Sequence, residues 1–242
     1  MNKEELNDIK LKFIEILSEW PQLKSFIHSN DFTSIVNKLY ELKNNGKRFT
    51  PILKNVFKAF ELSSFNDTRI VILAKDPHPY IGYANGLALC CENVKKPLAE
   101  LKLFIDNIYS TVYPELKKPE TFNSSIRYLS EQGILLLNTS LTCQIDNHKS
   151  HYDIWKPFID YVIDLLNHKK ENLVFILLGE QAQEYEDVID NEKHCIIKAS
   201  HPSSVLKTKD NEWDSDDCFN KCNNYLKLNN KQTINWLQNE HK

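Results

Sequence analysis

The sequence predicts an α/β fold, with three α/β/α layers built on a central, mostly parallel four-stranded sheet. Three observations carry this expectation. Four short aliphatic runs without Gly or Pro, at 69–74, 134–138, 173–178 and 194–199, have the composition of strands buried on both faces. Segments with helical spacing lie between them, and strand–helix alternation of this kind builds a parallel sheet covered on both sides. No repeat, low-complexity linker or composition break divides the 242 residues, so one domain is expected over 1–242, with 1–48 as a helical extension packed on it.

In chain order, Leu6, Ile9, Phe13, Ile14 and Leu17 share one helical face, and Phe32, Ile35, Leu39 and Leu42 share another. Thr50-Pro51 reads as a helix start, with Thr as N-cap and Pro in the first turn, leading into Ile52, Val56, Phe57 and Phe60. Later helices are expected at about 97–112, 122–131, 155–168, 181–190 and 215–228.

Composition narrows the classes. A hydrophobic content of 41% supports a full core, and a formal charge of −3 argues against a surface that grips nucleic acid all over, while leaving room for a local basic groove. No apolar run is long enough to span a membrane, and Met1-Asn2-Lys3-Glu4-Glu5-Leu6 carries acids where a signal peptide needs an apolar segment. A cytoplasmic, non-secreted chain is expected. Cys90, Cys91, Cys143, Cys195, Cys218 and Cys222 match neither zinc spacing nor a disulfide framework. Cys218 and Cys222, four apart on one helix, are too few donors for a metal, so free buried thiols and no metal are expected.

Three strand ends carry the chemistry. Val71-Ile72-Leu73-Ala74 runs into Lys75-Asp76-Pro77, and open α/β sheets bind ligands at the carboxyl ends of their strands. Pro77 holds Asp76 out of the helical region, which fixes its carboxylate, although an isolated Asp-Pro is an ordinary turn. Ile134-Leu135-Leu136-Leu137 ends in Asn138, whose amide offers a donor beside an acceptor, as the edge of a nucleobase requires; alone it reads as a turn cap. Ile196-Ile197-Lys198-Ala199-Ser200 ends in His201-Pro202-Ser203-Ser204, where a His can donate to a developing oxyanion and the hydroxyls can meet a phosphate. Together the three ends make a site able to hold a base, stabilise charge and direct water.

At these residues the chain resembles the uracil-DNA glycosylases of the family-1 type, from about Phe49 to Trp236, as a divergent member. Lys75-Asp76-Pro77-His78-Pro79 is similar to the family's GQDPYH loop, and 133–142 to its GVLLLNxxLT segment. Ser150-His151 with Trp155 and Phe158 resembles SHxxxGWxxF, and Val174 through Gly179 with Ala182-Gln183 resembles LLWGxxAQ. His201-Pro202-Ser203 matches HPS, and Phe219, Lys221 and Asn223 match the FxKxN that follows. The resemblance implies hydrolysis of a base–deoxyribose bond after the base has left the stack. Asp76 would stabilise the cationic sugar and direct water, and neutral His201 would donate to the base oxygen. Asn138, Lys75, His78 and Leu89 would contact the base. Pro79, Ser203, Ser204, Ser150 and His151 would contact DNA, single- or double-stranded, and Val205-Leu206 would wedge into the vacated space. No cofactor is implied; the partner is DNA, with room for a protein partner or inhibitor, in a monomer associated with cytoplasmic, nucleoid or viral DNA.

Departures from the family cluster in the pocket. His78 stands where the family has Tyr, and Leu89 where it has the Phe on which uracil stacks, so an enlarged pocket and a bulkier 5-modified pyrimidine stand beside uracil as readings. Tyr80 or Tyr83 could instead refill the space. Glu180 replaces a small hydroxyl on the phosphate track, the Pro-Ser loop aligns near Lys96-Pro97-Leu98, and Asp210, Glu212, Asp214, Asp216 and Asp217 crowd the loop after His201. Lys75 could serve as an amine nucleophile. The alternative is a catalytically weak scaffold that binds DNA or a partner.

Overall fold

The computed structural model describes residues 2–91, 98–118, 125–207 and 212–238. Helices α1 (Lys3–Ile16), α2 (Lys24–Ile27) and α3 (Asn30–Asn44) come first, then a short strand β1 (Phe49–Thr50) and helix α4 (Lys58–Leu62). Strand β2 (Ile70–Ala74) and helix α5 (Ala99–Thr111) follow, then α6 (Arg127–Ser130), β3 (Ile134–Asn138) and β4 (Cys143–Gln144). The chain continues through α7 (Tyr152–Lys169), β5 (Val174–Leu178), α8 (Glu180–Gln183), β6 (Cys195–Ala199) and α9 (Cys218–Leu228).

The main sheet has the order β3-β2-β5-β6 with every neighbouring pair parallel, so all its strands point their carboxyl ends the same way. All residues of β2, β3 and β5 are buried, as the unbroken aliphatic runs require. One helical layer is sealed by an aromatic cluster in which Phe57 and Phe60 each pack edge to face on Phe158 and Trp155 closes on Phe57. Across the sheet, Phe104 of α5 and Phe219 of α9 meet at 5.0 Å, and Trp236 of the C-terminal tail packs on Phe219 at 4.8 Å. The expected three-layer arrangement is therefore present. The apolar stripe of α1 is only half-buried, and its Phe13 reaches Phe32 and Phe57.

Several expected elements differ. Thr50-Pro51 does not start a helix: Thr50 is extended and pairs with Cys143 in a two-stranded antiparallel ribbon, and α4 begins only at Lys58. Pairing across the ribbon outweighs the local helix-start pattern. The helix expected at 181–190 breaks into α8 and a 3₁₀ turn, Glu186–Val188. The one expected at 122–131 is seen as α6 alone, with 122–124 outside the described residues; Lys96, Pro97 and Asp210 also lie outside them. No described helix is long and apolar enough to cross a membrane. The six cysteines are free, and all but Cys195 are buried.

Candidate active site

Parallel strands put β2, β3 and β6 side chains on one rim. Register aligns Ala74 with Asn138, so Asn138 closes β3 just beside the turn that carries Asp76, while His201 follows two residues after Ala199. These three, with Lys75, Pro77, His78, Leu89, Glu100, His148, Lys149, Ser203 and Leu206, line a cleft of about 450 Å³.

His201 is held by its own loop. Its Nδ1 lies 3.2 Å from the backbone N–H of Ser203 and 2.8 Å from the Ser203 hydroxyl. A backbone N–H can only donate, so Nδ1 is the bare nitrogen and Nε2 carries the ring proton. Burial, then the nearby charges of Lys75 and His148, pushes the His201 pKa down to about 3. The ring is a neutral donor at any working pH. Asn138, 6% exposed, makes no side-chain hydrogen bond to any described residue, so its amide presents an unspent donor and acceptor.

The Asp76 side chain is only 3% exposed, and one oxygen, Oδ2, accepts from His148 Nδ1 at 3.0 Å and from the backbone N–H of Lys149 at 3.2 Å. Lys75 sits half-buried beside it, and its carbonyl accepts from the Thr139 hydroxyl and the Ser140 N–H, which locks the β2 and β3 ends together. His78 packs against Tyr80 and Tyr83, with ring centroids 4.8 and 5.2 Å apart. Burial lowers its pKa, while Glu100 pulls the other way. The two tyrosines back His78 from outside and do not line the cleft. Leu89 lines it in a left-handed conformation, φ 62°, which is uncommon for a residue with a side chain.

Some expected contacts take other roles. Of the two residues expected to wedge into DNA, Val205 is buried at 8% exposure and only Leu206, 52% exposed, stands at the rim. His151 is 2% exposed, its Nδ1 is 2.9 Å from the Thr142 hydroxyl, and burial lowers its pKa to about 4; a neutral buried ring cannot meet a phosphate as a cation. Ser150 is spent locally, accepting from the Gln144 N–H and donating to the Asn147 carbonyl. Pro79 is buried and its carbonyl accepts from Asp146 N–H. Pro79 and His151 are thus buried, while Ser150 is half-buried with its hydroxyl bonded within its own loop. Ser204 is exposed and Ser203 half-buried on the loop of His201. Glu180 is exposed and outside the cleft lining, and Trp213, stacked on Phe104, folds the acidic loop back against the body. Glu100, His148 and Lys149 are cleft residues that the sequence did not single out. None of them ends a strand; His148 and Lys149 stand in a polar stretch just before the Ser150-His151 pair.

Comparison with known proteins converges on one family. Residues 60–227 match the Uracil DNA glycosylase superfamily. The uracil-DNA glycosylase of Christiangramia forsetii is 36% identical over 206 residues, covering 85% of this chain and 90% of that protein. That of Campylobacter hominis is 34% identical over 231 residues, covering 94% and 95%. The crystal structure of mimivirus uracil-DNA glycosylase superposes with a TM-score of 0.81 at 23% identity, over 92% of this chain and 88% of that one. With a superfamily match over most of its length and relatives above a third identical across nearly their whole chains, this protein belongs to the uracil DNA glycosylase superfamily.

Proposed function

We propose that this chain is a monofunctional DNA glycosylase that hydrolyses the N-glycosidic bond of a flipped-out uracil and leaves an abasic site. The observation that carries the reading is the convergence of Asp76, Asn138 and His201 on one cleft, with the Asn138 amide unspent and the His201 ring neutral. As the bond breaks, positive charge grows on the sugar and negative charge on the departing base. Asp76 answers the first and directs water. The Nε2–H of His201 answers the second, as a preorganised donor worth roughly 3–4 kcal/mol in the transition state. Asn138 reads the base edge, and Leu206 fills the space that the base leaves. DNA is the partner. A substituted form of the mimivirus enzyme has been solved in complex with UGI, which supports a protein inhibitor as a second class of partner here.

The pocket walls favour a second reading of the substrate. Leu89 offers no ring for stacking, His78 stands where the family has Tyr, and Glu100 adds an acceptor to the cleft. Base–aromatic stacking is worth about 1–3 kcal/mol, so a pocket without that ring gives up grip on uracil and gains room beside the base. A bulkier 5-modified pyrimidine suits this shape. Base release from matched oligonucleotides bearing uracil, thymine or a 5-substituted cytosine decides between them. Release from uracil alone fixes the first reading. Faster release of the bulky base, reversed by Leu89→Phe, fixes the second. No release from any of them refutes both.

A further inference from the structure

The contact between Asp76 and His148 joins loops 72 positions apart. An ionised carboxylate has no proton to give, so at 3.0 Å the His148 Nδ1 must be the donor. The ring is therefore either the neutral Nδ1–H tautomer or the imidazolium. His148 is brought there by a fastened turn. Cys143 Sγ donates to the Pro77 carbonyl at 3.1 Å, and Asp146 N–H to the Pro79 carbonyl at 3.2 Å. Ser150 Oγ bridges Gln144 and Asn147, and Asp146 and Lys149 take left-handed backbone at φ 58° and 59°. Both donors to Asp76 reach the same oxygen, and Oδ1 accepts no hydrogen bond from any described residue. In the sequence, the loop that resembles GQDPYH ends in Pro79 and not in the family's His, while His148 arrives from the far side of β3.

We propose that His148 is a positioning residue for base release, its Nδ1–H holding Oδ2 of Asp76 so that Oδ1 stays committed to the sugar and the water. This rests on the glycosylase reading given above. Only neutral His148 supports the reaction. An imidazolium would cancel the Asp76 charge where positive charge must develop, and would add a cation to a cleft that already holds Lys75 and Lys149 beside the rings of His78 and His201 and the thiols of Cys90 and Cys91, with Glu100 the other acid on its wall. Protonating His148 therefore lowers the rate, and a variant that cannot take that proton keeps its rate further into acid.

The test compares the full-length wild type with His148→Ala and His148→Asn on a uracil oligonucleotide, under single turnover and across pH. His148 is 61% exposed, so neither change threatens folding. His148→Ala is expected to lower kcat about 10–100-fold while KM for DNA moves little. His148→Asn, which keeps a donor but cannot titrate, is expected to restore most of kcat and move the acid limb to lower pH. A raised KM with unchanged kcat, or an unchanged pH profile in both variants, overturns the proposal. The ¹⁵N NMR signal of His148 Nδ1 supplies a readout that needs no activity. Replacing Asp76 by Ala removes the acceptor and is expected to shift that signal, and an unmoved signal overturns the proposal even if the wild type releases no uracil. Absence of uracil release by the wild type refutes only the glycosylase reading.

Discussion

Asp76, Asn138 and His201 owe their availability to three different local arrangements. Asp76 has one oxygen held and one spare, the Asn138 amide side chain has no hydrogen-bond partner among the described residues, and His201 has one nitrogen tied back by Ser203. Asp76→Asn keeps the shape and removes the charge, so base release is expected to fall about 10²–10⁴-fold while binding to a uracil oligonucleotide survives. Unchanged release in that variant, read by abasic-site cleavage, would refute the role given to Asp76. For His201 the expected state is the neutral Nε2–H tautomer throughout pH 5–8, read by ¹⁵N NMR. Its folded pKa of about 3 lies below the unfolded value of 6.5, as does that of His151 at about 4. The stability gained by keeping both rings neutral is complete above pH 6.5 and lost as the pH falls toward those lower values, because only the unfolded chain takes up protons in between. For the well-buried His151 this loss is on the order of 3 kcal/mol, seen as a falling denaturation midpoint from pH 6.5 to 4. The three strand-end residues were legible in the sequence because each interrupts an aliphatic run. His148 was not, since a histidine in a polar stretch carries no periodic signal and its partner is distant in the chain. Val205 and Leu206 look alike in sequence, and only packing separates the buried one from the exposed one.

Strands set the rim, but the loops and short helices around it decide its shape, and here two glycines matter. The loop that follows Asp76 folds back onto the segment before α4. At Gly86, φ 91°, an added Cβ would sit 1.9 Å from the Asn55 carbonyl oxygen and 2.8 Å from Lys58 Cβ. The Asn55 backbone cannot yield so far, so Gly86→Ala is expected to cost more than about 2 kcal/mol and to lower the melting temperature. Gly179 closes β5 at φ 85°, and there an added Cβ would press on His201 Cβ at 3.1 Å. That neighbour can shift by a few tenths of an ångström, and the shift falls on the ring proposed to donate to the base. Gly179→Ala is therefore expected to reduce kcat more than its strain of roughly 1–2 kcal/mol reduces stability, which rate measurement beside thermal melting tests. Element types read well from sequence where burial is uniform, as in β2, β3 and β5. They read poorly where a long-range pairing overrides local preference. Thr50 carried a good helix-start pattern and was taken by Cys143 of a strand that the sequence did not announce. The region 181–190 broke after Gln183, where Gln183 turns its amide to the Ala199 carbonyl and stitches α8 to β6 instead of continuing the helix.

The whole molecule has two chemically different ends, a consequence of one parallel sheet with all carboxyl ends on one side. The carboxyl end holds the cleft. At the opposite end, three cations each bind backbone carbonyls at the entrance to the strands. Arg69 donates to Gln132 through two nitrogens and to Gln232 through a third, Lys170 to Phe65 and Asn66, and Lys231 to Glu171 and Asn172. These contacts join the starts of β2, β3 and β5 to the C-terminal tail, whose fully buried Trp236 packs on Phe219. No sequence pattern announced this arrangement, because carbonyl acceptors carry no residue identity. Its task is to hold the strand starts in register so that the far ends present Asp76, Asn138 and His201 together. Arg69→Leu removes three hydrogen bonds from a charged donor, each with a net worth of about 1 kcal/mol, and leaves the Gln132 and Gln232 carbonyls to water. The expected loss is about 2–3 kcal/mol in denaturant unfolding, with kcat on a uracil oligonucleotide unchanged in the folded fraction. A lower kcat at full stability would instead mean that the two ends of the sheet are mechanically coupled, and that the rim geometry is set from below.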